Sequence, residues 1–375
     1  MERLRIGLIG YGKMGRAHSQ AYSTVSRFFN HGVEPVLAVL CGRDRKEVGA
    51  MAARFGWQSV ETDWRRLAER ADIDLVDICA PTRVHEEVAL AAAQQGKHVF
   101  CEKPLALTSA GAEKMLAHAE RYGIRHMVTF NYRFVPAVRL AKRLISQGRL
   151  GDIRHFRGSF HQDWLTNAEA PMIWRLRGED AGTGALGDLG AHVVDLARYL
   201  VGEIEEVSAT MHTFVPRRRN ESGEWEDVTV DDAFEALARF SSGASGVIEA
   251  SRFATGHKCS NRFEINGSKG SLQFDFERMN ELSFFSNEDD PSVQGFRTIT
   301  ATVPNVHPYA AHWWGAGHVL GFEETFVHQV DELLSAFEEK REPVPNFHDG
   351  LKCQQVLDAI SWASRERCWV GVGER

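Results

Sequence analysis

Ile6-Gly7-Leu8-Ile9-Gly10-Tyr11-Gly12-Lys13-Met14-Gly15 decides how this chain folds at its start. The apolar run Leu4–Ile9 reads as a strand buried on both faces, and a helical pattern runs on through Ala17, His18 and Ala21. Between them lies Gly-x-Gly-x-x-Gly, in which each glycine has its own task. Gly10 permits the tight turn, Gly12 lets a pyrophosphate approach the backbone, and Gly15 lets helix and strand pack closely. The N-terminus of such a helix offers N–H groups and the positive end of its dipole to phosphate. Gly10, Tyr11, Gly12, Lys13, Met14 and Gly15 are therefore candidate dinucleotide-binding residues.

Outward from this stretch, Val36–Cys41, Leu75–Cys79, His98–Cys101 and His126–Phe130 repeat the short apolar run. Amphipathic segments such as Ala89–Gln95 and Ala110–Tyr122 separate them. Strands alternating with helices predict βαβ units, hence an α/β Rossmann domain with a doubly wound parallel sheet over residues 1–130. Farther on, Ile153–Gln162, Val207–Val215, Ala233–Phe240, Ala244–Phe253, Arg262–Asn266 and Ser271–Phe276 alternate apolar with polar residues. Turns at 241–243 and 267–270 join some of them, and Phe234, Ala236, Ala238 and Phe240 share one face. Helices return at Gly184–Leu200, Phe322–Lys340 and Asp349–Arg367. This predicts an α+β domain over 131–375 with a largely antiparallel sheet, bearing substrate contacts and an open face for a homodimer or homotetramer.

Bulk properties narrow the partners. At 375 residues, with 43% hydrophobic and 25% charged residues, the chain has room for two ordinary globular cores. A formal charge of −7 gives no positive field to gather nucleic-acid phosphates. The densest basic run, Arg217-Arg218-Arg219, is followed by Asn220, Glu221, Gly223 and Glu224 and reads as a solvated hairpin tip. Cysteines 41, 79, 101, 259, 353 and 368 form no Cys-x-x-Cys pair, so neither a disulfide framework nor a zinc site is expected. No apolar stretch is long enough to span a bilayer, and Met1-Glu2-Arg3-Leu4 enters the first strand directly, so the expected compartment is the cytoplasm.

The end of the second strand reads the adenosine ribose in this fold, where an acidic residue favours NAD and repels the 2′-phosphate of NADP. Here the sequence is Leu40-Cys41-Gly42-Arg43-Asp44. Gly42 would make room for a phosphate, and Arg43 is either its ligand or a surface loop arginine. Asp44 reaches the ribose instead if the strand ends two residues later. The cofactor is thus NAD or NADP, with NADP expected at least on a par.

Cys101-Glu102-Lys103-Pro104-Leu105 follows another strand at the ligand-binding edge. It resembles the Glu-Lys-Pro motif of the Gfo/Idh/MocA oxidoreductases. Gly10–Gly15, Ala80-Pro81-Thr82-Arg83-Val84-His85, Asn131-Tyr132-Arg133 and Gly184–His192 match the same family in the same order. The likeness covers essentially the whole chain. It is greatest to the branch with scyllo-inositol, L-glucose and levoglucosan dehydrogenases, through Gln162-Asp163-Trp164, Trp174-Arg175, Ala181–Asp188, Gly317-His318 and Phe322–His328. Gly42 departs from the acid common in NAD-using members. The resemblance implies oxidation of a secondary hydroxyl of a sugar, anhydrosugar or cyclitol by hydride transfer to nicotinamide. It also maps the family's Lys–Asp–His set onto Lys103, Asp188 and His192.

The chemistry suits those residue types. Hydride leaves a carbinol carbon most readily when a base removes the hydroxyl proton and a cation steadies the developing alkoxide. Histidine titrates near neutrality, so His192 is the candidate base. Asp188 lies four residues earlier on the same helical face, and Lys103 is the candidate donor to the reacting oxygen. Glycines at 182, 184, 187 and 190 around the pair also fit a simple loop-to-helix junction. Ala80, Thr82, His85, Glu102, Lys103 and Asn131 join Gly42 and Arg43 as cofactor candidates, with Glu102 implied by the resemblance to meet the nicotinamide ribose. Asp163, Trp164, Arg175 and His318 join Lys103, Asp188 and His192 as substrate candidates, while Trp174, like Trp164, either stacks on a ring or fills an interface. No metal is expected. Two alternatives stay open, an NADP-dependent reductase of small ketones or dihydrodiols and a non-catalytic sensor of nucleotide and sugar.

Overall fold

In the computed structural model residues 2–374 are described. Among them the chain forms a six-stranded sheet, a nine-stranded sheet and a two-stranded ribbon. Contacts divide it into two units, Met1–Phe134 with Gly321–Lys352, and Val135–Leu320 with Cys353–Arg375.

The first unit is built on β1 (Glu2–Ile9), β2 (Val33–Cys41), β3 (Ser59–Glu61), β4 (Leu75–Ile78), β5 (His98–Cys101) and β6 (His126–Val128). All pair in parallel in the order β3-β2-β1-β4-β5-β6. The order reverses at β1, where βαβ geometry opens a crevice beyond the strand ends. Helices α1 (Lys13–Phe28), α2 (Arg45–Phe55), α3 (Trp64–Glu69), α4 (His85–Gln94) and α5 (Ser109–Arg121) connect the strands. Local chemistry fixes their starts. Asp44, Asp63 and Thr108 precede α2, α3 and α5, and each accepts a backbone N–H of the first turn. Gly56, at φ 81°, ends α2 in the left-handed region.

Leu4, Ile6, Leu8, Val39, Leu40, Leu75, Val76, Ile78, Val99 and Phe100 are buried, as strands covered on both faces require. The expected parallel sheet is present. The sequence pattern did not mark β3, whose three residues are only half-buried and too few to show a period. The helix Phe322–Glu338 also belongs to this unit and lies along α1, with Phe326 against His18 at 5.5 Å between ring centroids.

The second unit holds β7 (Ile153–His161), β8 (Ile204–His212), β9 (Arg217–Arg219), β10 (Trp225–Asp227), β11 (Ala233–Phe240), β12 (Ser245–Ser251), β13 (Ser260–Gly267), β14 (Gly270–Asp275), β15 (Glu281–Ser286), β16 (Arg297–Thr300) and β17 (Val370–Gly371). The large sheet runs β16-β15-β14-β13-β7-β12-β11-β8-β17. Only β7 and β12 pair in parallel, so the sheet is largely antiparallel as the alternation predicts. Phe234, Ala236, Ala238 and Phe240 are buried while Glu235, Leu237 and Arg239 on the other face are exposed. The helix Ala191–Leu200 lies over β7 and β12.

β9 and β10 form the hairpin expected after Arg217, but Arg218 is not solvated. Its side chain is 1% exposed and donates to the carbonyls of Leu165, Asn167, Ala168 and Ala170. A charge run read along the chain suggests solvent. The strand alternation instead turns Arg217 and Arg219 outward and Arg218 inward, over the cluster of Leu165, Met172, Leu176 and Val230. All six cysteines are free thiols. Among the described residues no helix is long and apolar enough to cross a membrane.

Candidate functional site

The turn from β1 to α1 has the shape that its glycines require. Gly10 sits at φ +114°, and a Cβ there would stand 2.5 Å from the carbonyl oxygen of Cys79. A Cβ on Gly15 would stand 2.0 Å from the Gly10 carbonyl oxygen. Gly12 is different, since its Cβ would meet nothing within 4 Å. It is also the N-cap of α1, contributing no side-chain acceptor, and no acidic residue occupies the first turn. The helix N-terminus therefore faces open space with its N–H groups, which suits a pyrophosphate. Lys13 is exposed beside it with Nζ 6.0 Å from the Phe322 ring, and Met14 is half-buried.

At the end of β2 the structure sets Tyr11 against Gly42. A Cβ on Gly42 would lie 2.0 Å from Cδ1 and 2.2 Å from Cε1 of Tyr11. The position of a side chain on this glycine is filled by an aromatic ring. Burial and then a hydrogen bond to Glu47 raise the Tyr11 hydroxyl above the ordinary tyrosine range, so it stays protonated. Arg43 is exposed. The Asp44 carboxylate caps α2, accepting from Lys46 N at 2.8 Å and Glu47 N at 3.0 Å. Capping gives Asp44 a structural task that needs no ribose.

Ala80, Thr82 and His85 follow β4, Glu102 and Lys103 follow β5, and Asn131 follows β6, all on the same sheet edge. Two of them turn inward. His85 is buried, with Nε2 2.9 Å from the Ala80 carbonyl and Nδ1 3.1 Å from that of Pro104. Burial lowers it below the ordinary histidine range, and its task is to clamp the turns after β4 and β5 together. Asn131 is buried and donates to Thr325 Oγ1 at 3.0 Å, tying the end of β6 to the helix Phe322–Glu338. Glu102 is 6% exposed, and its Oε2 accepts Lys103 N at 3.2 Å.

Beneath this edge lies a polar network that the sequence reading did not assign. His18 Nδ1 is 2.8 Å from Asp77 Oδ2, and its Nε2 is 3.1 Å from Glu102 Oε1. Tyr22 donates to Asp77 Oδ2 at 2.9 Å, and Cys79 Sγ lies 3.6 Å from Oδ1. One signal was available: Asp77 is an acid inside the apolar run Leu75–Cys79, and a buried strand tolerates a carboxylate only if donors surround it.

In the second unit the segment Leu186–Gly190 is a π-helical turn that leads into the helix Ala191–Leu200, rather than one uninterrupted helix from Gly184. Such turns widen a helix locally and recur at functional positions. Asp188 lies within it and His192 just beyond; His192 is 7% exposed, with Phe160 6.1 Å away between ring centroids. Two unread residues hold this turn. Asp231 accepts from Gly184 N at 2.6 Å and from Leu186 N at 2.8 Å, and a Cβ on Gly184 would collide with its carbonyl oxygen at 1.7 Å. Arg252 is fully buried and donates to the Asp231 carbonyl at 2.7 Å. Burial pulls its guanidinium down, and the negative charges of Asp188, Asp231 and Asp232 oppose that.

The substrate candidates of this unit divide. Arg175 Nε is 3.9 Å from Asp188 Oδ2 and its guanidinium packs 4.4 Å over the Trp174 ring. Trp164 is 40% exposed, with the Arg252 guanidinium 5.6 Å from its ring centroid. Asp163 is held by Lys258 Nζ at 2.7 Å and Gly256 N at 3.0 Å, and His318 folds onto its own exposed loop at Gly315. The structure thus groups Arg175 with Asp188 and ties Asp163 and His318 to loops.

Comparison with known proteins adds a second line of observation. Residues 4–130 match the family model described as "Oxidoreductase family, NAD-binding Rossmann fold", and residues 138–273 match the GFO/IDH/MocA C-terminal domain. Levoglucosan dehydrogenase of Pseudarthrobacter phenanthrenivorans is 39% identical, the match covering 99% of each chain. Among solved structures, an oxidoreductase domain protein from Kribbella flavida superposes with a TM-score of 0.97 at 52% identity, covering 100% of both chains. A levoglucosan dehydrogenase in complex with NADH and levoglucosan gives 0.96 at 39% identity, again covering 100% of both.

Proposed function

We propose that this chain, which belongs to the Gfo/Idh/MocA oxidoreductase family and carries its NAD-binding Rossmann fold, oxidises a secondary hydroxyl of a sugar, anhydrosugar or cyclitol to a ketone. The observation that carries this reading is the Asp188–His192 turn, shaped by Asp231 and Arg252, in a chain whose Rossmann edge carries Lys103. A relative similar over its whole length binds NADH with levoglucosan, which favours an anhydrosugar or a pyranose of like size.

The first unit fits the dinucleotide. Gly10–Gly15 and the α1 N-terminus would hold its pyrophosphate, Tyr11 and Gly42 would border its adenosine, and Glu102 would accept from its nicotinamide ribose. When bound, its nicotinamide supplies the hydride acceptor. The other roles belong to side chains. His192 takes the hydroxyl proton, Lys103 donates a charged hydrogen bond to the reacting oxygen, and Asp188 receives a neighbouring hydroxyl. Arg175 beside Asp188 is a further polyol ligand. Self-association is assigned to the outer face of the large sheet, where Leu237 and Val247 are exposed among charged neighbours.

The test is turnover of a panel of anhydrosugars, aldoses and cyclitols with NAD and with NADP, alongside sedimentation of the native protein. Turnover confined to small ketones or dihydrodiols would replace this reading with a reductase. Binding without turnover of any kind would replace it with a sensor.

A further inference from the structure

His18 is a buried ionisable group to which the proposed chemistry gives no task. Its ring lies in α1, between Asp77 on β4 and Glu102 in the turn after β5, with side-chain exposures of 1%, 0% and 7% for the three. Phe100 stacks on the ring at 5.1 Å and Phe326 tilts against it at 5.5 Å, closing the site to water. Each ring nitrogen faces a carboxylate oxygen, Nδ1 toward Asp77 at 2.8 Å and Nε2 toward Glu102 at 3.1 Å. A carboxylate only accepts, so both nitrogens serve as donors when the ring is an imidazolium.

His18, Asp77 and Cys79 also bring ligand-type atoms within 4.8 Å of one another. A metal would need a lone pair from the ring and a thiolate from Cys79. Both ring nitrogens are already directed at carboxylates, and burial raises the Cys79 thiol, so the arrangement is one of protons. Burial also opposes a charge on His18, but the Asp77 carboxylate outweighs it and holds the ring well above the ordinary histidine range. The groups facing this cluster are Asp77 and Cys79 from β4 and its end, Tyr22 from α1, Glu102 and Cys101 from the end of β5, and His85 toward Glu102. The helix Phe322–Glu338 presents the Phe326 ring.

We propose that His18, anchored by Asp77, is a positioning residue of the cofactor site that keeps Glu102 aimed as an acceptor for a vicinal diol such as a ribose. The proposal rests on the reading of Glu102 as the nicotinamide-ribose ligand. Asp77 is occupied by His18, Tyr22 and Cys79, so it fixes the ring. Glu102 meets the ring through Oε1 and the Lys103 N–H through Oε2, and each oxygen keeps a further lone pair for a ligand. Without the imidazolium, Glu102 loses the donor that fixes its Oε1 and with it the aim of its remaining lone pairs.

The test is NADH affinity of the full-length protein at about pH 6 and about pH 9, for wild type, His18→Gln, Glu102→Gln and the double variant. Glu102→Gln is expected to weaken NADH about 10–100-fold at both pH values, the range for a charged hydrogen bond. His18→Gln is expected to weaken it by less than Glu102→Gln does and to add nothing in the Glu102→Gln background. A loss in His18→Gln that adds in full to that of Glu102→Gln marks a merely structural histidine and overturns the proposal alone. An unchanged affinity in Glu102→Gln removes the reading on which it rests. Should His18→Gln fail to fold, histidine-selective ¹⁵N NMR of wild type decides. The proposal requires both His18 nitrogens protonated across that range and shifted by NADH, and a neutral or unmoved ring overturns it.

Discussion

The ring of Tyr11 stands where a side chain at Gly42 would begin, 2.0 Å from an ideal Cβ at its Cδ1. The two residues are therefore expected to act on cofactor choice as a pair. Gly42→Asp alone should lower kcat/KM for both NAD and NADP, because the ring must move before a carboxylate fits, at about 1–3 kcal/mol for such overpacking. Adding Tyr11→Ala should restore NAD and leave NADP poor, since the new carboxylate then meets a ribose hydroxyl and repels a phosphate. The measurement is kcat/KM for each cofactor. If Gly42→Asp by itself raises NAD selectivity with no loss, the ring yields freely and the pair does not set the choice.

His192 lies in the second unit, on the helix that follows the π turn. His192→Ala should slow the chemical step by about 10²–10⁴. NADH affinity should stay near wild type, because the phosphate-facing groups belong to the first unit. Single-turnover kinetics and a fluorescence titration separate the two quantities. Normal turnover with lost NADH binding would reverse the assignment.

Neighbouring arginines should behave oppositely. Arg218 donates to four backbone carbonyls from a buried position, so Arg218→Ala leaves acceptors unpaired and should cost about 3 kcal/mol or more. Arg217→Ala and Arg219→Ala, on the exposed face of the same strand, should each fall within about 0.5 kcal/mol. Chemical denaturation of the three variants reads this, and equal losses would contradict the placement of Arg218.

Acid should destabilise the first unit through half-buried His98 and buried His126. Burial, aided by the Arg125 charge, lowers His98 to about 4, and burial lowers His126 to about 4. Nδ1 of His98 accepts from Arg125 N at 2.9 Å, and Nδ1 of His126 accepts from Phe347 N at 3.0 Å, so both rings must be neutral there. The unfolded chain binds those protons near the ordinary histidine value of ~6.5, so it holds more protons between the two values. Their contribution is complete above about pH 6.5 and is lost as the pH falls toward 4, on the order of 3 kcal/mol for each. Thermal unfolding followed from pH 8 to 4 should show this slope, reduced in His98→Gln. A flat profile would refute it.

Legible along the chain alone were the parallel sheet, the turn at Gly10–Gly15 and the alternating faces of β11. These are written in neighbours along the chain, as a period of two, a period near four, or glycines where the backbone turns sharply. The partners of buried polar groups come only from packing. Tyr11 explains Gly42, and His18 finds Asp77 and Glu102, which are 59 and 84 residues away. Asp231, 47 residues beyond Gly184, shapes the turn that carries Asp188. Arg218 turns from surface charge to buried donor because the segment near Leu165 to Ala170 folds over it. A buried polar group is stable only when a partner meets it, and which distant group arrives depends on how whole elements pack, a fact that no local pattern contains.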